Sequence, residues 1–402
     1  MTPFSRLVCI WALALPSLAC SSKENRTGAR FDGSGPLYAV SNTLLITDSV
    51  TSYVTVVDSL EAGTEVALDR ALEFPGSARA YGRERANVVY LTSSEAPTMT
   101  EVTFDSTGVP SKGRTVSFAN LGVDATSGGN VNLHLSATKA YFVSQSSLEI
   151  VVWNPERMEV IKTVPLELRP PANYPDVYFY PQPILVGDSL VLLSNVAGEV
   201  SGPGVFVTVV DTRDDRIDST TLEPRCHSLL QSGVDAGGDR YFASSDYAAS
   251  EHFLYPDLVP APCMLRMSKG ALEFDAEWSR TLDGELGTGI WTGVTQGAGK
   301  LYVQGTPDDT SAIAAAAETG AYEVSVGQPW SWYALIDGDA EPTSADTGLE
   351  FPPSFAPIPV DGDAYVAVFD DVNTTLVNLT GSDEPEPGVE VPGFVYSVVR
   401  FR

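Results

Sequence analysis

A tyrosine-centred apolar strand recurs along the chain at Tyr38, Tyr90, Tyr141, Tyr241, Tyr302 and Tyr365, with Val191 in the equivalent slot between the third and the fourth. Successive copies lie 52, 51, 50, 50, 61 and 63 residues apart, and each follows a turn rich in Gly, Asp or Ser, as at 82–87, 187–189 and 361–363. A period this size means that one supersecondary unit is repeated, each copy burying a face against its neighbour that it could not bury alone. An ordinary β-sandwich has many short strands too, but no reason to hold a spacing near 50 residues. The fold class expected is all-β: a seven-bladed β-propeller of four-stranded antiparallel sheets occupying 36–402.

Within each unit, a second run rich in Val and aromatics follows the tyrosine strand and often ends in Asp or Asn, as in Tyr53-Val54-Thr55-Val56-Val57-Asp58. Such residues suit a pleated surface, and the terminal Asx side chain can bond the next turn. Outer strands are expected at 66–74, 115–120, 160–166, 217–222, 277–282, 332–336 and 388–391. Innermost strands are expected at 77–81, 130–135, 177–184, 227–234, 289–295 and 354–360. Only six innermost strands fit in this way. The chain enters in second-strand position at Tyr38, and 394–401 alternates, so the C-terminal strand is predicted to complete the first blade. That clasp would remove an open sheet edge. Helix is expected only at 311–318, where an Ala run follows a Ser.

The N-terminus reads as an export signal over 1–19. Arg6 supplies the positive end, and the apolar run at 7–18 is too short to span a bilayer. Ser17-Leu18-Ala19-Cys20 looks like a bacterial lipobox, which would attach lipid to Cys20; simple signal cleavage nearby is the alternative. Ser21 in the next position resembles an outer-membrane destination. The expectation is a lipoprotein of the bacterial cell envelope, facing periplasm or cell surface, held to the membrane through the N-terminal lipid and a polar tether at 20–35. Export would place Cys226 and Cys263 where disulfides persist, so they read as either a bridge bracing adjoining blades or two small buried thiols. The net charge is −28, and loss of the leader removes Arg6 and no acid. Such a charge repels phosphate backbones, which excludes nucleic acid, and suits a soluble monomer with a solvated acidic surface.

A propeller offers a funnel where its innermost strands begin, flanked by the loops joining second to third strands. Those loops are long in two blades, at 245–262 and 306–320, and insertions on one face of a repeat array mark its binding side. The candidate ligand-binding residues at this mouth are Arg79, Tyr81, Asn130, Tyr178, His227, Tyr247, His252, Trp291 and Tyr396, with Asn132 and Tyr180 beside them. Aromatic faces with an Arg and a His could hold a flat, partly anionic aromatic ligand; packing between blades is the competing role for each ring. Catalysis has little to stand on. The chain has three histidines, His134, His227 and His252, in no paired metal-site spacing, and shows no nucleophile with its base. No cofactor or resident metal is expected. Asp211, Asp214, Asp215 and Asp218 depart from calcium-loop spacing and read as a solvated turn.

The stretches Thr51-Ser52-Tyr53-Val54-Thr55-Val56-Val57-Asp58-Ser59-Leu60, Ala71-Leu72-Glu73-Phe74-Pro75-Gly76 and Ile150-Val151-Val152-Trp153-Asn154-Pro155 resemble the propeller-type lipoproteins that accompany myxochelin-like siderophore clusters in myxobacteria. The likeness runs from about Tyr38 to the C-terminus. It implies an exported, surface-associated protein with a part in iron or siderophore handling, and it maps no functional residues onto this chain. Binding of a small aromatic or metal-chelating ligand, such as a ferric siderophore, is therefore the first reading. An envelope protein-interaction scaffold and a metal-dependent propeller lyase or lactonase are the alternatives.

Overall fold

The computed structural model describes residues 35–46, 49–83, 86–180, 183–282, 291–297, 300–305, 320, 330–335, 346–351, 358–370, 372–379 and 386–402. The leader, Cys20, most of the insert at 306–320 and the expected helix at 311–318 lie outside the described residues. From Phe31 to Arg402 the chain forms one compact unit. It is an all-β propeller.

Its sheets are antiparallel, and their strands run from the axis outwards in chain order except in the first. Sheet 1 holds Phe394–Arg400, Tyr38–Ile46, Ser49–Val57 and Leu72–Pro75. Sheet 2 holds Ala80–Tyr81, Val88–Leu91, Thr98–Phe104 and Pro110–Ser117. Sheet 3 holds Val131–His134, Ala140–Ser144, Glu149–Asn154 and Glu159–Pro165. In sheet 4, Ser189–Ala197, Ser201–Asp211 and Arg216–Glu223 follow an inner edge made of two pieces, Asp176–Tyr178 and Ile184–Val186. Sheet 5 holds Leu229–Val234, Arg240–Ser244, Cys263–Met267 and Ser279–Thr281. Sheet 6 holds Trp291–Gly297, Lys300–Gly305, Trp330–Leu335 and Asp346–Phe351, and sheet 7 holds Ile358–Val360, Asp363–Phe369, Asn373–Asn378 and Glu386–Pro392.

Six of these sheets have the expected four strands; the exception is sheet 4, with five. Asp176–Tyr178 pairs with one end of Ser189–Ala197 and Ile184–Val186 with the other, so the inner strand expected at 177–184 is broken in its middle. Pro183 falls in the break. It has no N–H to offer a ladder, which disfavours a continuous strand there. Sheet 6 departs in another way. The run expected as its outer strand at 332–336 belongs to the third strand, Trp330–Leu335, and Asp346–Phe351 takes the outer place.

The C-terminal strand pairs with the first one: Tyr38 sits opposite Arg400, Ala39 opposite Val399 and Thr43 opposite Phe394, across a bulge at Ser41 and Asn42. Tail and head are further joined by Leu37 N–H donating to Arg402 O at 3.2 Å.

The core is divided among sheet interfaces rather than gathered in one place. Phe74, Leu91 and Phe104 pack between sheets 1 and 2, Phe118, Phe142 and Trp153 between 2 and 3, and Tyr141, Val177 and Leu192 between 3 and 4. The sequence continues this pattern round to Val40, Tyr365 and Val395 between sheets 7 and 1. A strand covered on both faces must be apolar throughout, and Ala140–Ser144 is buried at every position. Outer strands face water along their length, and Arg216–Glu223 is accordingly polar and exposed.

Polar latches cross the same interfaces. The Tyr141 hydroxyl donates to Asp215 Oδ1 at 2.5 Å, and Lys139 and Lys162 pair with the same carboxylate. At the seam, Tyr38 and Arg400 both donate to Asp361 Oδ2, at 3.1 and 2.8 Å. The acidic turn expected to be simply solvated is thus partly structural. Asp211 is clasped by Arg213, Asp218 by Arg216, and Asp215 joins sheets 3 and 4.

Cys226 and Cys263 form a disulfide, with Cα atoms 5.7 Å apart. It ties the connector leaving sheet 4 to the third strand of sheet 5, inside the core shared by the two sheets.

Candidate ligand-binding mouth

Inner-strand starts lie beside second-strand ends: Ala80 is opposite Leu91, Val131 opposite Val143, Leu229 opposite Ser244 and Trp291 opposite Gly305. The connections to the third strands leave from that same end. Residues at the inner-strand starts, together with the 245–262 insert, therefore share one rim of the propeller.

Arg79 stands one residue before the inner strand of sheet 2. Its backbone is fixed by Thr92, whose hydroxyl accepts from Arg79 N–H at 2.9 Å and whose N–H donates to Arg79 O at 3.1 Å. The guanidinium Cζ lies 5.2 Å from the centre of the Tyr396 ring, on sheet 1, and the phenols of Tyr81 and Tyr180 complete its surroundings. Burial alone would disfavour the Arg79 cation; these phenolic oxygens outweigh it and hold its pKa above the ordinary value. Burial likewise raises the pKa of Tyr180, against the pull of the Arg79 charge. Tyr180 itself donates to Gly128 O at 3.4 Å, in the loop that enters sheet 3. Tyr396 continues into an edge-to-face aromatic chain through Phe394 to Phe369 of sheet 7, with centroids 4.9 and 5.7 Å apart.

The fold thus gathers Arg79, Tyr81, Tyr180 and Tyr396 from three sheets. Tyr178 belongs to the same neighbourhood. Its pKa is raised by burial first, then by Asp176 and Tyr180, and its ring lies 3.4 Å from where a side chain on Gly129 would begin. A Cβ on that glycine would meet Gln145 Oε1 at 2.4 Å, so the Gln145 side chain would have to move to admit it.

Other expected site residues have different work. The Asn130 amide donates to Ala125 O and Ser127 O at 3.2 and 2.8 Å, and its oxygen accepts from Gln145 N–H at 2.7 Å, so it braces a loop. His227 is 1 % exposed, with Nδ1 3.9 Å from Cys263 Sγ. Burial, then the His252 charge, lowers its pKa to about 4, so it is neutral at physiological pH. A side chain so enclosed belongs to the core around the disulfide, not to a solvent-filled mouth. His252 does approach His227, but its Nδ1 lies 2.7 Å from Val259 O and braces the insert. Of Trp291 the backbone alone is described; it opens the inner strand of sheet 6.

The insert of sheet 5, expected to be a loop, contains a helix, α1, over Asp246–Leu254. The signal was in the sequence. Ser245 caps the helix by accepting from Ala248 N–H at 3.1 Å, Asp246 places a negative charge in the first turn, and an Ala pair follows. Glu251, 2 % exposed, accepts from Ser201 N–H at 2.8 Å and pins the helix to sheet 4. Burial raises its pKa, and the bond to Ser201 opposes that. The helix also meets the inner strand of sheet 6. Tyr247, Phe253, Tyr255 and Leu258 of this insert are 40–66 % exposed.

Several buried polar atoms have no partner among the described residues: both amide atoms of Asn132 and Nε2 of His227, two residues expected at the mouth, and Oε1 of Gln231 and of Gln304 and Oγ of Ser194, which the sequence did not single out. Among the described residues no group of three or more His, Cys, Asp or Glu side chains is arranged to hold a metal ion. A groove of about 410 Å³ is lined by Val207, Leu222, Arg225 and Phe274 of sheets 4 and 5 and by none of the residues gathered around Arg79.

No protein-family model matches the chain, and comparison with curated proteins gives no match. Solved structures do match. The periplasmic gluconolactonase of Pseudomonas aeruginosa is 12 % identical with a TM-score of 0.56, over 91 % of this chain and 99 % of that one. A candidate 6-phosphogluconolactonase from Bacteroides uniformis is 11 % identical with a TM-score of 0.52, over 91 % and 99 %. A protein from Lactobacillus plantarum is 10 % identical with a TM-score of 0.52, over 92 % and 99 %. Identities this low speak for architecture alone, and what this chain shares with those proteins is the β-propeller built of four-stranded antiparallel sheets.

Proposed function

We propose that this chain is an exported lipoprotein of the bacterial envelope, anchored through Cys20, whose seven-bladed propeller binds a small aromatic or metal-chelating ligand at the mouth without transforming it. The observation that carries this reading is the convergence of Arg79, Tyr81, Tyr180 and Tyr396 from three sheets on one rim. Rings of this kind stack on flat ligands, and the guanidinium adds a directional polar anchor. A ferric siderophore fits that description and agrees with the resemblance to siderophore-associated lipoproteins.

The gluconolactonase neighbours raise a lactonase reading. It gains nothing from the described residues, where His227 is buried beside a disulfide and no acid, base and metal-ligand set converges. A scaffold reading has one observation in its favour, the exposed Tyr247, Phe253, Tyr255 and Leu258 on a single insert.

The deciding experiment is titration of the purified mature chain with apo and ferric siderophores and a panel of small aromatics, followed by tryptophan emission. Saturable quenching with micromolar or tighter affinity is expected. A flat response across the whole panel refutes the binding reading, and loss of an envelope partner on deletion of 246–258 would favour the scaffold.

A further inference from the structure

Resting on the reading of the mouth as a ligand site, we infer that its ligand presents an oxyanion, specifically the carboxylate of a small aromatic acid, to the guanidinium of Arg79. The argument begins with charge pairing. The sequence holds 52 acidic residues against 24 basic ones, so carboxylates are plentiful. Several other arginines use them: Arg114 pairs with Glu101, Arg213 with Asp211, Arg225 with Glu223, Arg266 with Asp275 and Arg400 with Asp361, whereas Arg240 reaches only the Ser232 hydroxyl among the described residues. Arg79, largely enclosed, has no carboxylate partner among the described residues. Three tyrosines, one of them offering its ring, stand in its place.

A guanidinium removed from water requires compensation, and phenols supply only part of it. Its five N–H donors form a fork that matches a planar carboxylate, so an anion seated there completes the pairing. The phenol hydroxyls of Tyr81 and Tyr180 can turn to donate to the same anion. A second observation points the same way. Asn132, on the inner strand of sheet 3 that contacts the inner strand of sheet 2, is 5 % exposed, and neither atom of its amide has a partner among the described residues. A buried amide left unbonded is costly, and a polar ligand group or the water it displaces relieves that cost. The surrounding tyrosine rings suit a flat body behind the carboxylate.

Charge also fixes a kinetic expectation. A net charge of −28 repels an approaching anion at long range, whereas the Arg79 contact is local. Association should therefore become faster, not slower, as salt is raised.

The test compares benzoate and 4-hydroxybenzoate with benzamide and 4-hydroxybenzamide, titrated into the full mature chain and into Arg79→Gln by tryptophan emission and calorimetry. The acids should bind the wild type at least tenfold more tightly than the amides. Arg79→Gln should remove that preference, weakening acid binding at least tenfold relative to the wild type. Equal affinity for acids and amides, or an Arg79→Gln protein that binds acids as well as the wild type does, overturns the inference. So does binding confined to neutral members of a wider panel, and in these cases the mouth remains a ligand site. If no compound in the wider panel binds, the mouth reading itself falls and the inference falls with it. Should Arg79→Gln fail to fold, the acid-to-amide comparison on the wild type decides alone.

Discussion

The repeated tyrosine has a physical role at the level of single side chains. Tyr90, Tyr141, Tyr241, Tyr302 and Tyr365 are all buried between sheets, and the hydroxyls of Tyr141 and Tyr241 reach Asp215 and Asp235. Burial raises the pKa of Tyr90, Tyr241 and Tyr365 to about 12 in each case, so these phenols remain neutral donors across the physiological range. His134 is a residue where the packing is satisfied and the polarity is not. Its ring stacks on Tyr90 at 4.8 Å and meets Trp153 edge-on at 5.5 Å, while Nε2 has no partner among the described residues. Burial, with a smaller contribution from Arg83, lowers its pKa to about 4. Between pH 6.5 and 4 the unfolded chain takes up a proton there that the folded chain refuses, so stability falls as pH falls through that window. His134→Phe keeps the stack and removes the proton site. The variant should be more stable than wild type by about 1 kcal/mol at pH 7, and the gain should widen at pH 5. Urea melts at the two pH values check this; a variant less stable at pH 7, or a gain that does not grow, counts against it. His227, lowered to about 4 in the same manner, should leave a remaining acid sensitivity in the variant.

Among the elements, the sequence made strands legible and connections less so. Second strands such as Ala140–Ser144 are apolar at consecutive positions because both faces are covered, and that signature does not depend on which sheet covers them. The cap and acidic first turn of α1 were equally local, yet length and polarity made its segment read as loop. The broken inner strand of sheet 4 was also written in Pro183. The disulfide was not: two cysteines 37 residues apart can pair only if the fold brings them within about 7 Å, which spacing alone does not reveal. Closing that loop should stabilise the protein by about 3 to 4 kcal/mol. Replacing both residues, Cys226→Ala with Cys263→Ala, should lower the denaturant midpoint accordingly. Hydrogen exchange should report the loss first over 227–263, including α1. Exchange that rises evenly over all sheets, with no local excess, would mean the bridge does not act on that segment.

For the whole molecule, closure is the decisive event. Phe394–Arg400 supplies the inner edge of sheet 1, and without it Tyr38–Ile46 would present unpaired N–H and C=O groups to any other chain. Truncation after Gly393 should therefore abolish the monomer and yield aggregates in size-exclusion chromatography. A circular permutant that begins at Phe394 and joins Arg402 to Gly35 by a short turn keeps the same pairing as a hairpin, and it should restore the monomer. A truncated chain that stays monomeric and cooperatively folded would show the clasp to be dispensable. The sequence by itself determined the repeated sheet, its strand order and the return of the tail to the head, because backbone pleat and two-sided burial leave a periodic imprint on neighbouring residues. Only the tertiary structure decided that Arg79 meets Tyr81, Tyr180 and Tyr396, that His227 is shut away beside a disulfide, and that Asp215 draws two lysines and a tyrosine. Those meetings join residues from different sheets, and the distance across a propeller axis is set by how the sheets close around it, which no local pattern of residues records.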